Sequence, residues 1–497
     1  MDVHELDTML LVGSGVLILA VLAVRLSLTV GMPSLLIYLG LGLVLGSSGF
    51  GIEFDDADLA LSLGLFALVL ILAEGGLSTS WEHVRPSMRF SLLLATLGSV
   101  VSVLVVAAGT HYVLHLDWQL SVLLAAVLTP TDAAAVFSVL RAVPLRSSVA
   151  GTLEAESGLN DAPIVVLVTA VSAGSIADHG VVGFIALIVF ELVVGAAIGF
   201  GIGWGGATLL RRVALPASGL YPLVVFAFTV LAYGGATVVH ASGFAAVYIG
   251  ALVLGNTELP HRTATRSFVE GIGWLAQIGL FVMLGLLANP SEFGWWHVWT
   301  GVAVGAILTF IARPLSIAVC AVFVPTGFRE QIFLGWAGLR GAVPIVLATI
   351  PLAADVPRSA DLFDIVFVAV VVYTLLQAAP LGRLAGWAGV LEDGVRDVEV
   401  EAAPLDRISA DLLQVHVPTG SRLVGVEVGE LRLPRDASVS LVVRGDRTFV
   451  PDRSTRIVLG DDLLVVTTRE VRAHTEDRLR AVGREGRLAG WGEPERD

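Results

Sequence analysis

Two carboxylates and a carboxamide fall within six residues, Glu156-Ser157-Gly158-Leu159-Asn160-Asp161, inside the otherwise apolar stretch from Ala150 to Ala177. An ionisable side chain costs roughly 2.5 to 3.5 kcal/mol at the centre of a membrane-spanning helix, so it persists where it faces a bundle interior or a water-filled path. A dehydrated carboxylate there holds either a proton or a monovalent cation, and exclusive occupancy of one group by the two is the chemistry of exchange. Asp161 is the expected carrier. The competing reading is a structural carboxylate satisfied by helix ends or by Arg340. On a helical wheel Glu154, Ser157 and Asp161 share a face, while Glu156 and Asn160 form an adjacent stripe. Asp161, the Ser157 hydroxyl, Glu156 and a backbone carbonyl at Thr131 would supply the oxygens that a hard cation needs. Glu154 belongs either to this set or to a solvated funnel beside it.

Two interrupted segments must position these groups. Thr129-Pro130-Thr131-Asp132 breaks one apolar run, and Gly338-Leu339-Arg340-Gly341-Ala342-Val343-Pro344 breaks another. Pro and Gly inside otherwise spanning segments point to discontinuous helices around a midplane ion site. Asp132 would then neutralise helix N-termini and Arg340 helix C-termini. Glu74, in the apolar run from Leu68 to Gly76, is the expected partner of Arg340, with Asp132 as the alternative.

The chain around them has 497 residues, 55% of them hydrophobic and 15% charged, and a net charge of −14. Thirteen apolar runs between residues 9 and 387 predict an all-α polytopic membrane protein. The ninth, residues 243 to 256, is short enough to be re-entrant. Arginines recur in alternate loops, as at Arg25, Arg85, Arg89, Arg141, Arg146, Arg211, Arg262 and Arg329, which puts the N-terminus outside and the C-terminus in the cytoplasm. Acidic residues before the first run argue against a cleaved signal. Six runs, one central run and six more predict inverted repeats that pair the two broken segments. All basic residues are Arg, which reflects genome composition. Neither the charge nor its placement suggests nucleic-acid binding. Cys320, the single cysteine, reads as a buried thiol. The histidines show no ligand spacing and no catalytic motif is present, so neither an enzyme nor a resident metal is expected. Trp295, Trp296 and Trp299 read as an interfacial belt.

After residue 391 the pattern changes. Residues 392–407 read as a linker, 408–475 as a small α+β domain and 476–497 as a charged tail. The expected strands are Leu413 to Val417, Ser438 to Val443 and Leu463 to Val466, with turns at Gly445-Asp446 and Gly460-Asp461 and a closing helix from Arg472 to Val482.

The Thr131-Asp132 break, the Glu156-Ser157 and Asn160-Asp161 pairs, Glu74-Gly75-Gly76 and Gly338 to Pro344 together resemble the monovalent cation:proton antiporter-1 family. The resemblance covers residues 9 to 390. It implies thirteen helices with a six-helix core moving against a dimerising panel, and electroneutral exchange, because Asn160 stands where electrogenic relatives carry a second aspartate. It also implies Asp161 as carrier, Thr131, Glu156 and Ser157 as coordinating residues, and Asn160, Asp132 and Arg340 as supports. One departure is visible: the chain reads Thr131-Asp132-Ala133, with its proline displaced to Pro130. Residues 408 to 475 are similar to the C-terminal ligand-sensing domain (RCK_C, TrkA-C) of regulators of potassium conductance. That similarity implies a potassium/proton exchanger of the volume-regulating kind in the bacterial inner membrane, with roles in pH and potassium homeostasis. Its effector would be cyclic di-AMP or another nucleotide. The rival readings are a strict sodium (lithium)/proton antiporter and a ligand-gated cation channel, the latter lacking any TVGYG-like filter.

Overall fold

A computed structural model describes residues 3–489 apart from 31–32, 48, 53, 141–144, 393–399, 405–409, 419, 446 and 469. Arg141, part of the expected linker, Asp446 of the expected turn and the last residues of the tail lie outside this set. The chain divides into two compact units, Met1–Glu392 and Asp393–Asp497.

The first unit is helical. It begins with α1 (Val3–Val30), α2 (Ser34–Leu45), α3 (Ala57–Ser78), α4 (Trp81–Val84), α5 (Met88–Leu93) and α6 (Ser99–Leu114). The interrupted pair α7 (Trp118–Leu128) and α8 (Ala133–Leu140) follows, then α9 (Ser147–Ser172), α10 (Ser175–Arg212), α11 (Leu220–Val238), α12 (Gly243–Gly255) and α13 (Arg262–Leu287). The unit closes with α14 (Trp295–Ala306), α15 (Arg313–Phe323), a second interrupted pair, α16 (Phe328–Trp336) and α17 (Ala342–Ala353), and α18 (Ser359–Ala388). Among the described residues, seven helical stretches are long and apolar enough to cross a membrane. Shorter apolar helices include α2, α7, α12 and α17. Two of these are halves of broken segments, which is why a length criterion passes over them. Outward faces carry large apolar side chains, such as Val182, Phe190 and Trp204, as a lipid-exposed surface requires.

Glycine permits a very close helix contact in this unit. A Cβ at Gly195, Gly199 or Gly203, each one turn from the next on α10, would run into the backbone of α12 at Ser242, Ala246 and Gly250. Small residues at four-residue spacing let two helix backbones meet without a hydrophobic driving force. The Ser242 amide also donates to the Glu191 carbonyl of α10 at 3.0 Å, so the two helices share one frame.

The second unit is an antiparallel sheet in the order β1-β2-β5-β3-β4, formed by β1 (Val400–Pro404), β2 (Ala410–His416), β3 (Ala437–Arg444), β4 (Arg447–Phe449) and β5 (Asp461–Thr468). Strict alternation puts Leu463 and Val465 of β5 in the core with Leu413, Val415 and Val442. Residues 400–404, expected as linker, instead pair with β2, because backbone N–H and C=O groups meet an open sheet edge whatever the side chains, and Pro404, which lacks the N–H, falls at the end of the strand. The closing helix α19 (Arg472–Glu485) extends past residue 475 and buries Leu479 and Val482. Part of the expected tail is therefore core. At the start of β5 the fully buried Asp461 accepts from Arg444 Nε and Nη2, both at 2.8 Å, and from the Val458 amide at 2.9 Å. That carboxylate holds the Arg444 guanidinium's pKa above its ordinary value.

Gly199→Val forces a branched side chain against a backbone carbonyl that cannot retreat. Overpacking of this kind costs about 1 to 3 kcal/mol, and the purified, detergent-solubilised variant is expected to melt several degrees below the parent.

Candidate functional site

The two broken segments touch at their breaks. α7 ends with the Thr129 hydroxyl turned back on the Ala125 carbonyl at 2.7 Å, and the chain passes through Pro130 and Thr131 before α8 begins. The Asp132 amide then donates to the Leu339 carbonyl in the other break at 2.8 Å. Asp132 Oδ1 accepts from the Ala135 amide in the first turn of α8 at 3.3 Å. Its other oxygen lies where a Cβ at Gly341 would stand, immediately before α17. One carboxylate thus serves the heads of both half-helices, where its charge is favourable.

Arg340 serves the opposite ends. Its Nε donates to the Leu128 carbonyl at the tail of α7 at 3.2 Å, its Nη1 donates to the Gly338 carbonyl, and its own carbonyl accepts from the Thr374 hydroxyl at 2.8 Å. Its expected pairing with Glu74 or Asp132 is corrected accordingly. Helix-end carbonyls satisfy the guanidinium, and Glu74 instead takes a 3.2 Å hydrogen bond from Ser78 one turn along α3.

α9 crosses beside this junction and presents two kinds of carboxylate. Asp161 is buried, its Oδ1 makes no hydrogen bond among the described residues, and it lies on the wall of a cavity of about 330 Å³. Glu74, Asp132 and Glu154 line the same cavity, together with Thr131 and Ser157. No basic residue is among the lining residues, so the space favours a cation. Asn160, also buried, donates from Nδ2 to the Thr131 hydroxyl at 3.0 Å and ties α9 to the first break.

Glu156 does not join them. Five residues from Asp161, it points about 140° away around the helix, and it forms a bidentate pair with Arg313 of α15 whose second bond is 2.8 Å. Both side chains are buried. The expected cation ligand is therefore neutralised on the far face of α9. Arg313 is the site residue that the sequence reading missed, although an arginine in an apolar run carries the same signal as Glu156 itself.

A second cavity, about 380 Å³, shares Leu35, Glu74, Ser78, Phe137 and Gln277 with the first and reaches Arg266 and Glu270. The two form one vestibule that leads from Asp161 past Glu74. Tyr248 of α12 lines the first cavity. A Cβ at Gly158 would overlap its ring, so the phenol sits directly on the α9 backbone between Glu154 and Asp161.

The sodium/hydrogen exchanger transmembrane family matches residues 16–387, three quarters of the chain, and spans every element of this site. The chain belongs to the sodium/hydrogen exchanger family. A TrkA-C domain matches residues 412–480 of the same exchanger. It is 33% identical over 468 residues to the K(+)/H(+) antiporter NhaP of Alkalimonas amylolytica, covering 92% of this chain and 81% of that one. It is 31% identical over 480 residues to the K(+)/H(+) antiporter NhaP2 of Shewanella oneidensis, covering 94% and 82%. The exchanger's fold is similar to that of the sodium proton antiporter MjNhaP1 from Methanocaldococcus jannaschii at pH 8, with a TM-score of 0.65 and 21% identity over 77% of this chain and 98% of that one.

Two outcomes follow from the geometry. Arg313→Gln leaves Glu156 charged and unpaired in the interior, a loss of about 3 to 5 kcal/mol. The double variant Glu156→Gln/Arg313→Gln should recover most of the folded yield in size-exclusion profiles. Gly158→Ala should cut transport severely, and Tyr248→Ala in the same chain should restore part of it in a vesicle flux assay.

Proposed function

We propose that this chain exchanges cytosolic K⁺, and Na⁺ less readily, for external H⁺ by alternating access at Asp161. The observation that carries the reading is the buried Asp161 with an unpartnered oxygen on the wall of an acidic cavity. A carboxylate removed from water without a counter-charge must hold either a proton or a cation, and one group that alternates between them couples the two fluxes. Preference for K⁺ is supported by relatives named as K(+)/H(+) antiporters along more than nine tenths of the chain.

Exchange is electroneutral in this reading, because Asn160 beside the carrier cannot take a second charge. The broken and short helices combine with the long ones into thirteen crossings in inverted repeats. The N-terminus lies outside and the TrkA-C domain in the cytoplasm of a bacterial inner membrane, where a nucleotide sets activity. The protein works as a homodimer in potassium, pH and volume homeostasis, and is not an enzyme. A second reading, strict Na⁺ (Li⁺) exchange, is favoured by the similarity in fold to a sodium proton antiporter.

A cation panel on purified protein in proteoliposomes tests these points. K⁺, and to a smaller degree Na⁺, should dissipate an imposed pH gradient at a rate unchanged when the membrane potential is clamped. Asp161→Asn should abolish both signals while the protein stays folded. Retained exchange in that variant overturns the carrier assignment, a response to Na⁺ alone favours the second reading, and flux indifferent to the pH gradient means a channel.

A further inference from the structure

α9 lines two separate cavities in succession along its length. The first contains Glu154, Ser157, Gly158 and Asp161. The second, about 290 Å³, begins one turn beyond Asp161 at Val165 and Val166 and continues past Thr169 to Ala173. No residue lines both. The buried turn that carries Ala162 and Ile164 stands between them.

α12 faces α9 with two aromatic residues four positions apart, Tyr248 in the first cavity and Phe244 in the second. The remaining walls of the second cavity come from α10, α11 and the start of α12. They include Glu191, Tyr233, Thr237 and Ser242. Glu191 is the one acid among these lining residues, and among the described residues its carboxylate makes no hydrogen bond or ion pair. An acid inside a spanning helix is costly unless water or an ion reaches it. The titratable groups around it are His240 in the turn between α11 and α12, the Tyr233 phenol, and Asp161 one turn beyond the near end of the cavity. Four hydroxyls, on Thr169, Tyr233, Thr237 and Ser242, accompany the carboxylate and give an oxygen-rich lining suited to a monovalent cation or a proton.

We propose that the Glu191 cavity is the second station of the exchange, on the membrane side opposite the Glu74 vestibule, and that Glu191 delivers the proton to Asp161 there. The proposal rests on the antiport reading above. α10 and α12 are locked together by the glycine stripe, so Glu191, Phe244 and Tyr248 form one fixed wall. A shift along that wall by one helical turn, about 5.4 Å, of α9 together with the break and α15 that Asn160 and Glu156 tie it to, carries Asp161 to the level now held by Val165, at the near end of the second cavity. There the proton on the Glu191 carboxyl passes to the Asp161 carboxylate as the cation leaves it. The Glu191 carboxylate holds the cation briefly, releases it to water and is reprotonated from the same side. Charge and protons balance without a further reactant.

The test uses full-length protein reconstituted with known orientation, with pH varied independently on each side. Glu191→Gln should lower the exchange rate about tenfold or more and remove the rate's dependence on pH on the side away from the C-terminal domain. The pH dependence and apparent cation affinity on the other side should stay as in the parent. In a Cys320→Ala background, Thr169→Cys should react with a membrane-impermeant maleimide added only from the side away from that domain. Unchanged pH dependence on both sides, equal loss on both, or labelling of Thr169→Cys only from the domain's side overturns the inference. If Asp161→Asn is inactive while Glu191→Gln behaves as the parent on both sides, the second station falls and the antiport reading stands. If Asp161→Asn still exchanges, the antiport reading itself falls.

Discussion

The hydrogen bond from the Asp132 amide to the Leu339 carbonyl joins two helices that are each interrupted inside the membrane unit. Lipid offers no partner to the peptide groups exposed at such breaks, so they must be satisfied within the protein. Asp132 meets the heads of α8 and α17, and Arg340 meets the tail of α7. Opposite charges are therefore fixed at opposite helix ends, each where the local dipole favours it. Everything that the site requires hangs on this junction. Thr131 is held at the cavity wall because its segment is not helical, and Asn160 can reach its hydroxyl only because α9 passes beside the crossing.

α9 then sorts its acids by their angle around the helix. Glu156 turns toward α15 and is cancelled by Arg313, while Asp161 turns toward the cavity and has no cationic partner among the described residues. A buried pair of this kind adds little net stability over an apolar substitute, but it is costly to break by half. Its consequence here is placement. The Arg313 bond fixes the rotation of α9 about its axis, and that rotation decides which carboxylate faces the ion path. Glu154, nearly two turns before Asp161, lines the same cavity.

The breaks were legible in the sequence because Pro130, Gly338 and Gly341 are residue types that interrupt helices wherever they fall. The shared face of Glu154, Ser157 and Asp161 was equally legible, being a matter of helical period. The partner of Arg340 was not, since a backbone carbonyl has no side-chain signature and any guanidinium at depth seems to call for an acid. Arg313 and Glu191 are each a lone ionisable group in an apolar run, and that was the only signal either carried in the sequence. Tyr248 carried no signal at all. An aromatic residue in an apolar helix looks like core until the opposing glycine is known, and Gly158 is 90 residues away in the chain. In the second unit, β1 was hidden for the same kind of reason: its pairing depends on β2's open edge and not on its own composition.

The Asn160–Thr131 contact limits what the threonine can contribute. Asn160 donates through Nδ2, so the Thr131 hydroxyl oxygen is the acceptor and its own hydrogen points elsewhere. A hydroxyl that already accepts one hydrogen bond has less lone-pair density left for a cation. A carboxylate at position 160 could only accept. It would draw the Thr131 hydrogen to itself, reverse the hydroxyl, and place a second negative charge beside Asp161. The amide therefore does two things: it ties α9 to the break through the Thr131 hydroxyl, and it leaves position 160 uncharged beside Asp161.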